Sequence, residues 1–436
     1  MIPTRSAPRG RPPQVRRRQP EGVSRLAFLH PALLGMGLHV ASARARRALF
    51  GHPRYPGSAE DILRAGLEAC WSGRFLTASP GHYRQFWTRD TGFAAPSLVR
   101  LGPPWPDRLL SSLAWAMGVW RDRRSNVTTT INPLLRWPVD IFDYGVDSLP
   151  LLLASLQALA SSRDSAVAIG TTALVDEHRV WIRAEVEHFV DVVVDPATGL
   201  VRSDRAFSAH RDTFRNGSTA YANAMVALLG RVVVETGWAA DLLSRHFTGE
   251  GEAADWGLLL RRHFWLGDRF RDRLGTDETS GEANVWPFHL GLIEDDGDAM
   301  LTAALETLRR EGFTAPYPLR FEASHRADGL LLAYRLWSAD YQTTTSWTSL
   351  GSIYLALLCR VDPEAARVEL DRMRALIERD GTFWEVLDGS GRPWRSKSRL
   401  SISDVSMLWG ATLLETLEAD RTLRLTRLRA WHTSLR

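Results

Sequence analysis

A chain of 436 residues, 44% apolar and 24% charged, is long enough for one large domain or two to three ordinary ones and too apolar to be disordered. Its net charge of +4 hides ten Arg against one Glu in residues 1–47, which leaves the remainder near −5 and excludes a basic nucleic-acid face on the body. The two cysteines, Cys70 and Cys359, lie inside apolar helical patterns and supply neither a disulfide framework nor zinc-ligand spacing.

Residues 1–24 are rich in Pro and Arg and are expected to be disordered. The apolar run 26–43 has Arg16-Arg17-Arg18 before it and Ala41-Ser42-Ala43 at its end, the outline of a signal peptide. Two His, a Pro and two Gly interrupt the run, and Arg44, Arg46 and Arg47 follow it. The expectation is therefore a helix start in a cytoplasmic protein, with export through a cleaved leader as the minority alternative. No later segment offers about 18 uninterrupted apolar residues, so no membrane span is expected. The expected division is a basic tail and leading helix over 1–50 and one domain over 51–436.

From residue 58 onward helical periodicity dominates. Helices are predicted near 58–71, 91–101, 106–121, 148–162, 171–194, 218–237, 253–264, 296–311, 344–359, 363–379 and 403–434, the last broken near 419. Clear strand alternation is scarce. Long loops rich in Trp, Asp, Gly and Pro separate alternate helices at 72–90, 122–147, 195–217, 265–295, 312–343 and 380–402. Helix, short turn, helix, long loop recurs about six times without a close sequence repeat. That rhythm predicts an all-α fold, an (α/α)6 toroid whose long loops gather at one end and carry function. An open helical solenoid is the alternative.

The loops hold the chemistry. In 83–98, Trp87, Arg89 and Asp90 set an indole, a guanidinium and a carboxylate side by side where a helix begins, with Thr88, Asp90 and Thr91 as candidate caps. Fixed donors and acceptors beside an apolar ring suit a polyhydroxylated ligand; a capped helix with an internal ion pair is the plainer reading. Loop 122–147 ends Asp140-Ile141-Phe142-Asp143-Tyr144-Gly145-Val146-Asp147, where Asp147 is either a helix cap or a general acid whose pKa aromatic neighbours raise. His210-Arg211-Asp212-Thr213 in the next loop is polar enough to line a cleft. Asn284, with Trp286 nearby, offers a hydroxyl acceptor or a loop tie. Glu322 follows Phe321, and Glu385 follows Phe383-Trp384 ahead of a tight turn at Asp388-Gly389-Ser390-Gly391. Seventeen Trp, several beside polar residues, lean the same way. No metal-ligand spacing, Gly-rich phosphate loop or Gly-x-Ser-x-Gly elbow is present, so neither a metal nor a cofactor is expected.

Phe86-Trp87-Thr88-Arg89-Asp90-Thr91-Gly92 resembles the Trp-Thr-Arg-Asp segment of the six-hairpin (α/α)6-barrel glycosidases. These are the glucoamylases, processing α-glucosidases, trehalases, neutral invertases and amylo-α-1,6-glucosidases of glycogen debranching. Phe142-Asp143-Tyr144-Gly145-Val146-Asp147-Ser148 resembles the general-acid segment, and Phe383-Trp384-Glu385-Val386-Leu387-Asp388 the late hairpin that carries the base. The resemblance covers about residues 58–418, with every motif in order. It implies that Arg89 and Asp90 hold the terminal sugar, that Asp147 is the acid with Asp143 as its fallback, and that Glu385 is the base. Glu322, in a segment like that before the penultimate hairpin of the invertases, is the rival base. Trp87, Asp143, Tyr144, Asn284, Trp286 and Trp384 complete the implied sugar-binding set. The implied activity is exo-acting, inverting hydrolysis of α-linked glucosides or a related small oligosaccharide. An inactive glycan- or protein-binding toroid and a sugar isomerase or epimerase are the alternatives. The chain is short for these families, with no room for their added β-domains, which leaves substrate choice open.

Overall fold

The computed structural model describes Ser42 and residues 51–434 apart from 141, 143, 215–216, 240–254, 294–296, 326–329, 331–337 and 397–401. The expected tail, leader and leading helix of residues 1–50, Ser42 apart, and the candidate Asp143, lie outside the described residues, as does the side chain of every residue beyond Thr422.

Twelve helices carry the fold among the described residues: α1 Ala59–Ala69, α2 Thr88–Leu101, α3 Trp105–Arg123, α4 Ser148–Ala160, α5 Ser165–Val193, α6 Ala220–Thr236, α7 Trp256–Phe264, α8 Gly281–His289, α9 Gly297–Arg310, α10 Thr348–Val361, α11 Pro363–Asp380 and α12 Gly410–Ser434. The even-numbered helices form an inner ring. Each packs on the next, and α12 closes back onto α2. The odd-numbered helices lie outside them, with α1 also packed on α11. Burial follows this split. The inner helix α2 buries an unbroken run from Thr88 to Ala95, whereas the outer helix α11 buries a single stripe of Ala366, Leu370, Met373, Leu376 and Ile377. The (α/α)6 toroid expected from the loop rhythm is the fold observed.

Side-chain caps and glycines set the helix ends. Ser58 and Asp61 form a reciprocal capping box on α1, Thr219 caps α6, Ser280 caps α8, and Asp362 caps α11 ahead of Pro363. Gly92 lets α2 and α4 approach: a Cβ there would stand 2.5 Å from the Cβ of Leu151. Gly92→Leu is therefore expected to destabilise the toroid by more than about 3 kcal/mol, read by urea unfolding. A variant within about 1 kcal/mol of the wild type would show that the ring can open there.

Two elements differ from the sequence reading. Helix α8 lies inside a predicted loop. Its residues Gly281 to Phe288 are all buried, so no amphipathic period marks it, and Gly281 and Pro287 read as loop punctuation. The last helix begins at Gly410 rather than 403 and runs unbroken to Ser434. The residues ahead of it pair with the preceding hairpin segment instead, Val405 with Trp384 and Ile402 with Arg395. Short strands brace the loops: β1 Phe86–Trp87, β2 Thr130–Asn132 and β3 Trp137–Val139 form one antiparallel sheet, and β4 Ser346–Trp347 pairs with β5 Val386–Leu387. No helix among the described residues is long and apolar enough to cross a membrane.

Candidate active site

The loops that carry the candidate residues lead from outer helices into inner ones. The inner helices therefore start at one end of the ring, at Thr88, Ser148, Ala220, Gly281, Thr348 and Gly410. Six helix N-termini converge there, and their dipoles favour negative charge. The buried carboxylates Asp90, Asp147, Glu282, Glu322 and Glu385 lie in those first turns or in the loops ahead of them.

Arg89, in the first turn of α2, is the hub. Trp87 is the N-cap position of α2 and gives it no side-chain cap, and Thr88 Oγ1 donates to the carbonyl of Thr128 instead. The Arg89 guanidinium makes two forks. Nε and Nη2 donate to the two oxygens of Asp147 at 2.6 and 3.3 Å, and Nη1 and Nη2 to those of Asp212 at 2.7 and 3.4 Å. Such bidentate, charge-assisted pairs fix geometry as well as charge. Asp147 has no solvent exposure and also accepts a 2.8 Å hydrogen bond from the Tyr221 hydroxyl. The Asp212 side chain keeps 15% exposure. Burial, with the Asp147 charge behind it, pushes its pKa up to about 6 against the pull of Arg89.

Asp90 stands beside this cluster. Burial raises its pKa to about 7, aided by the charges of Asp212 and Asp147 and opposed by Arg89. A carboxyl shifted up from 3.8 lends stability that is fully present below about pH 4 and lost as pH rises through 7. Asp90→Asn is thus expected to stabilise the protein at pH 8 by on the order of 2–4 kcal/mol, the gain vanishing below about pH 4. Urea unfolding at the two pH values checks this, and equal stability of variant and wild type at pH 8 would refute it.

Glu385, just ahead of β5, is 2% exposed. The Tyr341 hydroxyl donates to its Oε1 at 2.6 Å and the Asp404 backbone N–H to its Oε2 at 2.8 Å. The Asp404 carboxylate is held by the Ser79 hydroxyl and by the His82 N–H at 2.9 Å. The expected turn at Asp388 is present, with Asp388 Oδ1 accepting from the backbone of Ser390 and Arg392.

A second hub lies alongside. Arg211 donates to Asp272 at 2.5 Å, Glu282 at 2.7 Å and Glu322 at 3.1 Å, all of them buried. Glu322 thus sits in an ion-pair network. His210 is also buried, its Nδ1 3.3 Å from the indole nitrogen of Trp286, and burial lowers its pKa.

Arg89, Asp90, Asp147 and Glu385 therefore all come to the loop end of the ring, and Trp87 lies beside them in β1. Other members of the expected sugar-binding set are engaged by protein groups. Asn284 bonds the backbone of Phe270 and Ser280 and ties the loop together. Trp286 packs on Phe93 with ring centroids 4.4 Å apart. Trp384 donates to Asp380 and packs on His52, and Tyr144 packs edge-on against His188 and Phe189 of α5. The sequence places Asp212 in a loop polar enough to line a cleft without marking a role for it, and it does not mark Tyr221, Tyr341 or Asp404. One signal marks Asp212: Arg211-Asp212-Thr213 repeats Arg89-Asp90-Thr91.

No protein family's sequence profile and no curated protein sequence matches the chain. Solved structures do. A glycosidase is 16% identical with a TM-score of 0.53, over 83% of this chain and 96% of its own. The mannosylglycerate hydrolase of Thermus thermophilus is 13% identical with a TM-score of 0.54, over 83% of this chain and 100% of its own. The fold is that of the six-hairpin glycosidases. A Klebsiella oxytoca rhamnosidase with rhamnose bound shares the toroid at 14% identity and a TM-score of 0.53, over 83% of this chain and 65% of its own.

Proposed function

We propose that this toroid is an exo-acting, inverting glycoside hydrolase acting on α-linked glucosides or a related small oligosaccharide. Asp212 protonates the leaving oxygen, Glu385 activates water, and Arg89 and Asp90 hold the terminal sugar. Inversion needs one carboxyl on each side of the sugar, about 6.5–9.5 Å apart. In a ring of six, the loops entering the third and sixth inner helices face each other. Asp212 is on the loop entering α6 and Glu385 on the loop entering α12.

The observation that carries this reading is the contrast between the two carboxylates on Arg89. Asp212 is partly exposed, with its pKa raised to about 6, the property of a proton donor near neutrality. Asp147, the acid implied by motif, has no exposure and accepts from both Arg89 and Tyr221. Its proposed role is to hold Arg89. For the base, Glu322 is paired with the Arg211 cation, which weakens it as a proton acceptor, while a phenol and an amide N–H orient Glu385. The shared toroid of a glycosidase, a mannosylglycerate hydrolase and a rhamnosidase supports sugar chemistry at this mouth.

The test is the anomeric configuration of the first product, read by proton NMR on aryl and disaccharide α-glucosides, with Glu385→Gln as companion. The expected results are an inverted product and loss of turnover in the variant. Retention, or near wild-type turnover by Glu385→Gln, would overturn the mechanism. Binding of a glycan without turnover of any glycoside would identify a lectin-like toroid instead.

A further inference from the structure

Glu385 does not reach its position alone. Its Oε1 accepts the Tyr341 hydroxyl at 2.6 Å, and the Tyr341 oxygen lies 3.1 Å from the hydroxyl of Tyr83. Three loops meet in this chain: Tyr83 precedes α2, Tyr341 precedes α10 and Glu385 precedes α12. The Tyr341 ring is clamped between two indoles, its centroid 5.0 Å from that of Trp347 and 4.7 Å from that of Trp394. Its backbone carbonyl accepts from Trp347 Nε1 and Thr345 Oγ1, both at 2.6 Å, and Trp394 Nε1 is tied to Asp340 at 3.1 Å. A phenol fixed on this many sides has little freedom to follow a moving partner, so it dictates where the carboxylate points.

The direction of the hydrogen bonds matters. Tyr341 donates to Glu385, so the Tyr83 hydroxyl donates to Tyr341. Each bond polarises the next, and the chain is strongest when Glu385 carries its charge. Burial and the Glu385 charge push the Tyr341 phenol well above its usual range, so it stays protonated and remains a donor. Tyr83 is four residues ahead of Trp87 and six ahead of Arg89, which places the far end of the chain on the loop that leads into the Arg89–Asp90 pair.

We propose that Tyr341, backed by Tyr83, is a positioning residue for Glu385, holding its carboxylate ionised and aimed for proton abstraction from water. This rests on the reading of Glu385 as the base. In that reaction a water proton passes to the Glu385 carboxylate while the water oxygen bonds the anomeric carbon and the glycosidic oxygen leaves with the proton of the acid. Tyr341 gives up no proton in the step.

The experiment is the pH profile of kcat/KM for wild type, Tyr341→Phe, Tyr83→Phe and Glu385→Gln, with thermal unfolding of each. A donor to the charged form lowers a carboxyl's pKa, so its loss raises it. Tyr341→Phe is expected to move the acidic limb upward by about one pH unit and to cut kcat by about 10- to 100-fold with KM within about threefold. Tyr83→Phe is expected to move the limb the same way by less. A purely structural tyrosine would lower the melting temperature and leave the limb in place. Infrared difference spectra against Glu385→Gln read the carboxyl of Glu385 directly, with or without turnover. An unmoved carboxyl titration in folded Tyr341→Phe overturns the proposal. Unimpaired turnover in Glu385→Gln overturns the base assignment instead.

Discussion

Asp212→Asn is expected to lower kcat/KM by about 10²–10⁴ for a sugar leaving group and to leave hydrolysis of the α-glucosyl fluoride within about tenfold of wild type. Fluoride departs without a proton, so only a substrate whose leaving oxygen must be protonated should feel the loss of the acid. The wild-type kcat/KM profile should fall on its basic side at about pH 6, where Asp212 loses its proton, and Asp212→Asn should abolish that limb. Asp147→Asn gives the contrasting result. It leaves Asp212 in place but puts an uncharged amide with a single acceptor oxygen where Arg89 Nε, Arg89 Nη2 and the Tyr221 hydroxyl all donate. Its losses should fall on both substrates alike and be accompanied by a lower melting temperature. A leaving-group dependence in Asp147→Asn, with none in Asp212→Asn, would return the proton to Asp147.

The toroid was legible because its signal is coarse. Six long polar loops between helix pairs survive errors of several residues at each helix end, and a closed ring is a compact way to bury twelve amphipathic or apolar helices. Helix α8 was illegible for the opposite reason: a short segment buried on all sides loses the period that marks a helix. The site divides in the same way. Arg89 and Asp90 stand out in the sequence because they form a compact string beside Trp87. Asp147 stands out as a carboxylate ahead of an apolar helix, but its partners come from Arg89, 58 residues earlier, and Tyr221, 74 residues later. Nothing local to Val146-Asp147-Ser148 records that pairing. Conversely, Asp212 looks like one polar residue in a polar loop, and only the fold brings it to the Arg89 guanidinium, 123 residues away. Local sequence names candidate acids, while the fold decides which of them are sealed from solvent, as Asp147 is, and which keep some exposure, as Asp212 does.

That division gives Arg89 the largest expected effect on stability. Arg89→Met fills much of the same volume and leaves Asp147 and Asp212 without their shared cation. Removing one partner of a buried pair typically costs about 3–5 kcal/mol, because the remaining charge is buried and uncompensated. Here one guanidinium serves two carboxylates, with Asp147 at no exposure and the Asp212 side chain at 15%. The loss should therefore lie at or above the upper end of that range at pH 8. The pH dependence has a definite sign. Asp212, already pushed up to about 6 by burial, loses the opposing pull of Arg89 and titrates higher still in the folded chain. The folded state then holds protons that the unfolded state has released, so stability is retained at low pH and lost as pH rises. Denaturant midpoints at pH 5 and pH 8 should show the gap to wild type widening with pH. Adding Asp147→Asn to Arg89→Met should recover part of the loss, because an amide in that position carries no charge to bury, and the cycle measures the coupling directly. A gap that stays constant with pH, or a double variant no more stable than Arg89→Met, would mean that Arg89 contributes by packing and that the charges of Asp147 and Asp212 do not depend on it.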